Sequence, residues 1–150
     1  MLAAGRRGRR PLDDPAAAPF GSGRRLCPEP ETCREAALAL FQALEKDDRF
    51  VPLFPPELDI VVWAVRAELA SEASARARMV FDAAAERDLH LAIATFPRSM
   101  VEPSAPVREW DADEIACLRA CVMKPEHREW MAEILHRLDA AAKACVGRRL

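Results

Sequence analysis

The chain has 150 residues, enough for one ordinary domain that folds around its own core without disulfides or a bound metal. A formal charge of -2 and a pI near 6.0 give the molecule as a whole no attraction to polyanions, and no stretch reaches the roughly 20 apolar residues of a membrane-spanning helix. Cys27, Cys33, Cys117, Cys121 and Cys145 are odd in number and sparsely spaced, which excludes a dense secreted disulfide scaffold and predicts reduced thiols in a soluble, cytoplasmic protein.

Residues 1–30 differ from the rest. Arg6, Arg7, Arg9, Arg10, Arg24 and Arg25 face only Asp13, Asp14 and Glu29, in a segment rich in Ala, Gly and Pro that lacks apolar periodicity. Such a composition does not offset its own ordering entropy, so a disordered leader is predicted. An organelle transit peptide or a phosphate-binding arm is the alternative, weakened by the shortness of the segment and by Asp13 and Asp14.

A folded domain is predicted over 31–150. Thr32-Cys-Arg-Glu35 has the form of a capping box, and Ala37, Leu40, Phe41 and Leu44 then recur at helical spacing to about Asp47. Phe50 to Phe54 reads as a short edge strand limited by Pro52. Leu58 to Val65 is nearly continuous in β-branched and aromatic residues, the pattern of a strand covered on both faces. Ser71 is a candidate cap for a helix with Ala73, Ala77, Val80, Phe81 and Ala84 inward and a Glu72–Arg76 pair outward, ending near Arg87. Leu89, Leu91, Ile93 and Thr95 alternate with smaller or polar residues as a second strand that Pro97 stops. Residues 97–110, with three prolines, read as loop. Glu114 to Met123 suits helix or strand equally. Pro125-Glu126 then opens a last helix with Trp130, Met131, Ile134, Leu135, Leu138, Ala141 and Ala142 on its apolar face. The sum is an α+β domain without internal repeats.

Chemistry is sparse. All five glycines fall outside 24–146, which excludes a glycine-rich phosphate cradle there. Cys117, Cys121 and His127 fit no zinc spacing, and nothing orients a thiol toward His90, His127 or His136; the expectation is core cysteines, surface histidines and no metal. Trp63, Trp110 and Trp130 read as core or interface anchors. Arg119 interrupts the apolar run Ile115 to Met123, so it requires an anion, a solvent exit or an exposed face.

Two stretches, Pro56-Glu-Leu-Asp-Ile-Val-Val-Trp63 and Cys117-Leu-Arg-Ala-Cys-Val-Met-Lys-Pro-Glu-His127, resemble the small C-terminal domain of the group II pyridoxal-phosphate (PLP) dependent amino-acid decarboxylases, fold-type I enzymes. The resemblance spans roughly 31–145 and is clearest from about Glu57 to Cys145; Met1 to Pro28 matches nothing in the family. It implies a mostly antiparallel sheet of three to four strands packed with about three helices, and it resolves Glu114 to Met123 as strand. It implies carboxy-lyase chemistry on PLP, with the Schiff-base lysine in a larger preceding domain and a homodimer whose active sites lie near the subunit interface. Lys46, Lys124 and Lys143 follow Glu45, Met123 and Ala142, whereas the family lysine follows a histidine, so no lysine matches. The expectation is a chain with no catalytic or cofactor-binding residue of its own and inactive alone. It would be a fragment, a truncated reading frame, or a partner of a separate large PLP-binding domain or of a second copy. By resemblance Arg119 contacts the substrate carboxylate; the alternative is a structural arginine paired with Asp59, Glu114 or a neighbour. A free-standing dimerisation or protein-binding module is the second functional reading. Nucleic acid is not expected as a partner, since Arg6 to Arg10 lack interleaved aromatics and the folded part is acidic.

Overall fold

The structure, a computed structural model, describes residues 30–124 and 126–146. Residues 1–29, where most of the expected leader falls, lie outside the described residues. The fold is α+β. Three 16-residue helices, α1 (Pro30–Glu45), α2 (Ala70–Ala85) and α5 (Met131–Val146), accompany four strands, β1 (Phe50–Pro52), β2 (Ile60–Val65), β3 (Ala92–Pro97) and β4 (Glu114–Cys121). Single helical turns form α3 (Arg98–Val101) and α4 (Glu126–Glu129). The sheet is antiparallel throughout, in the order β1-β2-β4-β3.

Alternation along β2 and β4 divides the core between the two sheet faces. Val61, Trp63, Val65 and Leu118 turn to the face covered by α1, α2 and α5, where they meet Leu40, Leu44, Val80 and Leu138. Val62, Ala64, Ile115 and Cys117 turn to the other, and there Leu53, Val101 and the partly buried Phe54, Val107 and Trp110 cover half of it. Residues 105–110 are therefore not a free loop. Ala67 N–H donates to Pro106 O, Ala70 N–H to Glu109 O, and the N–H groups of Arg108 and Glu109 both reach Glu68 O.

Several local expectations are corrected. α1 starts at Pro30, whose fixed φ suits a first helical position, so Thr32 lies inside the first turn and is not the cap. α2 starts at Ala70, one residue before Ser71, and the residue before it, Leu69, makes no side-chain capping bond. The cap comes from the loop. Asp111 Oδ1 accepts the Ser71 N–H at 2.9 Å and its other oxygen accepts the Ser71 hydroxyl, placing a carboxylate at the positive end of the helix. Those hydrogen bonds hold the Asp111 carboxyl below its ordinary range. α2 ends through Asp88 at φ 54°, with Leu89 N–H to Ala84 O at 3.0 Å and Asp88 N–H to Ala85 O at 3.1 Å closing the turn. The single helix expected after Pro125 is two, α4 and α5, with Trp130 exposed at the break instead of on the apolar face.

Arg49 ties the α1–β1 turn to α5. Its guanidinium donates to both Asp47 oxygens, at 2.9 and 2.6 Å, and to Asp139 at 2.8 Å. The Arg49 hydrogen bond, more than any other influence, holds the Asp47 carboxyl below its ordinary range. Arg49→Ala is expected to lower stability by roughly 1 kcal/mol at neutral pH, a figure discounted for solvent screening. Because the Asp47 pKa is depressed in the folded state, its contribution is present above the unfolded carboxylate pKa of about 3.9 and is lost as pH falls through the folded value. Urea titrations of both proteins at pH 7 and near pH 3 check this: the gap between them should narrow in acid.

Candidate functional site

Arg119 lies on β4 with its side chain on the face opposite the helices, in the same register row as Val62 of β2 and Ala92 of β3. It is exposed, and among the described residues neither a hydrogen bond nor an ion pair engages its guanidinium. Asp59 and Glu114, the partners a structural arginine would use, make no ion pair with it. The Val122 N–H to Asp59 O bond, 2.7 Å, extends the β2–β4 register beyond the strand ends, so Leu58 falls opposite Met123 and Ile60 opposite Cys121. Leu58, Ile60 and Met123 expose between 43% and 67% of their surface on this half of the sheet, the half that 98–110 leaves uncovered. The strand expected from Leu58 in fact begins at Ile60, and its start is open, not covered on both faces. Arg119 is the single charged residue along this face of the four strands.

The remaining candidates do not assemble into a reactive centre. Cys117 is wholly buried and burial pushes its thiol up to about 12, which keeps it protonated and unreactive. Cys33 is buried as well, donating to Met123 O at 3.2 Å, but Cys121 is exposed, contrary to the expectation of core cysteines. His90 and His136 are exposed and His127 stacks obliquely near Trp130, ring centroids 6.4 Å apart. Trp63 is in the core, Trp110 is half-buried with Arg98 5.5 Å above its ring, and Trp130 is outside the core. Among the described residues no group of three or more His, Cys, Asp or Glu side chains could hold a metal ion. No described helix is long and apolar enough to cross a membrane.

Lys46 and Lys124 are exposed, Lys143 is exposed and pairs with Asp139 at 2.8 Å, and no glycine lies among the described residues to let a backbone loop close around a phosphate. A cavity of about 930 Å³ sits toward the far end of β2, between α2, α5 and residues 105–108. Its cations are mostly engaged already, Arg49 by Asp47 and Asp139, Arg76 by Glu72 and Arg108 by Glu68.

Two solved structures share this arrangement. One is the glutamate decarboxylase domain of diaminobutyrate-pyruvate transaminase and L-2,4-diaminobutyrate decarboxylase from Vibrio parahaemolyticus, at 14% identity and a TM-score of 0.50. The other is Oryza sativa TDC, solved with PLP and tryptamine, at 13% identity and a TM-score of 0.55. The likeness is one of fold. Each match covers 77% of this chain and 22% of the other, so the chain spans less than a quarter of either protein. No family model matches the sequence, and no curated protein does.

The sequence singled out Arg119 but not its apolar companions. The signal for them was there: Leu58 and Ile60 share the parity of Val62, as Cys121 and Met123 share that of Arg119, so all of them had to lie on one face.

Proposed function

We propose that residues 31–145 serve as the small C-terminal-type domain of a PLP-dependent amino-acid decarboxylase, a carboxy-lyase. The open half of its sheet docks on a larger PLP-binding domain, and Arg119 reaches the carboxylate of the substrate. The observation that carries this reading is an uncovered apolar half-sheet bearing one unpaired arginine. A partner that covers Leu58, Ile60 and Met123 also takes Arg119 out of water, and a desolvated guanidinium requires an anion that this face of the chain does not supply. A substrate carboxylate, held by two parallel hydrogen bonds, meets that requirement. The fold likeness to a decarboxylase domain and to a PLP-bound protein agrees with it. The cofactor and the lysine that carries it belong, on this reading, to the larger domain.

The test is a chimaera in which residues 31–145 replace the corresponding segment of the Vibrio parahaemolyticus decarboxylase domain, assayed beside the chain alone. The chimaera should bind PLP and release carbon dioxide from an amino acid, whereas the chain alone should yield no saturable borohydride-trapped PLP adduct. A chimaera that folds and holds PLP but is no faster than one lacking the Schiff-base lysine would defeat the proposal. It would leave the second reading, a free-standing dimerisation or protein-binding module, for which the exposed Leu58, Ile60 and Met123 offer a surface.

A further inference from the structure

The two edges of the sheet are finished differently. At β1, Arg66 N–H donates to Arg49 O at 2.8 Å and Leu53 N–H to Val62 O at 3.0 Å, so by alternation Phe50 and Pro52 turn their main-chain groups to the free side. Phe50 N–H is taken by Asp47 O at 3.0 Å, and proline has no N–H. That edge has no donor left. At β3, Arg98 N–H donates to Asp113 O at 2.8 Å in continuation of the β3–β4 register. Ala92, Ala94 and Phe96 therefore bond to β4, and Ile93 and Thr95 point their N–H and C=O groups outward. Among the described residues nothing bonds to that side. Natural sheets blunt such edges with charge, proline, bulges or brevity; β3 is six residues long, has no charged side chain, and carries its proline only at the end.

We propose that this edge pairs with β3 of a second copy of the chain, antiparallel about a two-fold axis at Ala94, to make one continuous sheet. Ile93 of each copy then lies opposite Thr95 of the other, forming about four ladder hydrogen bonds. The strand is self-complementary. No charged side chain lies along it to meet its own copy, and the register sets only the neutral Ile93 and Thr95 against each other. The pairing uses main-chain groups at the rim of the sheet and does not involve the face around Arg119, so it does not depend on the function proposed above.

Sedimentation of the full chain between about 5 and 500 µM, with amide hydrogen exchange at the same concentrations, tests the pairing. The average mass should rise from 16.7 kDa toward twice that value, and exchange at Ile93 and Thr95 should slow in step. Thr95→Pro should weaken association at least about tenfold while leaving the fold intact, because prolines already occupy outward positions at Pro52 and Pro97. If circular dichroism finds that variant unfolded, Thr95→Lys replaces it, setting two like charges beside the axis. A monomer at every concentration with fast exchange at both amides overturns the proposal. So does protection of those amides in the monomer, which would mean that the chain covers its own edge, or a dimer that folded Thr95 variants leave unchanged.

Discussion

Replacing Trp63 with alanine is expected to destabilise the protein by about 3–5 kcal/mol, a large part of the roughly 5–15 kcal/mol that holds a domain folded. Trp63 is fully buried at the centre of the sheet, paired in register with Pro52 on one side and Leu118 on the other, and it packs against the helices. Truncation leaves a cavity that neither strand can close without giving up its ladder. Trp63→Phe should behave quite differently. The indole Nε1 is buried and has no acceptor among the described residues, so phenylalanine loses packing but also removes a donor whose burial costs about 1–3 kcal/mol. The expected net cost is about 1 kcal/mol. Urea denaturation followed by far-UV circular dichroism compares the two; equal losses would mean that Nε1 is bonded.

Arg119→Ala is expected to leave the isolated chain as stable as before, within about 0.5 kcal/mol, because an exposed and unpaired side chain supports nothing around it. In the active chimaera the same change should lower kcat/KM by about a hundredfold or more, the loss of two charge-assisted hydrogen bonds to a carboxylate. Arg119→Lys should recover part of that, since an ammonium keeps the charge but cannot make the paired contact. PLP binding should be unchanged in both. A fall in thermal stability with kcat/KM intact in the surviving enzyme would identify a structural arginine instead.

Elements with one strong periodicity were legible in the sequence. Ile60 to Val65, the α2 stripe and the alternation through Ile93 and Thr95 each declared its type because burial on a defined face dictates a period, although the strand expected from Leu89 begins only at Ala92 and includes Pro97. What failed was anything decided by a distant residue. Ser71 looked like a cap because serine caps locally, but the carboxylate that does the work is Asp111, forty residues on. Glu114–Cys121 satisfied both periods until the family resemblance resolved it, and its place between β2 and β3 depends on pairing that no local pattern encodes. Trp130 completes an apolar stripe in sequence, yet the helix breaks there and turns the ring to solvent. For Arg119, alternation along a strand puts Cys117 and Cys121 on its face and Leu118 and Val122 on the other, but which of the two faces the helices would cover was not readable.

The strand order has a kinetic consequence. β2 forms early in the chain, yet its inner neighbour is β4, so Trp63 meets Leu118 only after α2, β3 and the segment through Asp113 have been made. Closing so long a loop costs entropy before any contact returns it, which makes the central pairing a late and slow event in folding. During synthesis, Val61, Trp63 and Val65 must wait as an apolar strand with one side unpaired until residue 118 has left the ribosome. A nascent chain halted before that point displays an apolar strand with an open edge, the kind of surface that pairs with other chains until β4 arrives to cover it.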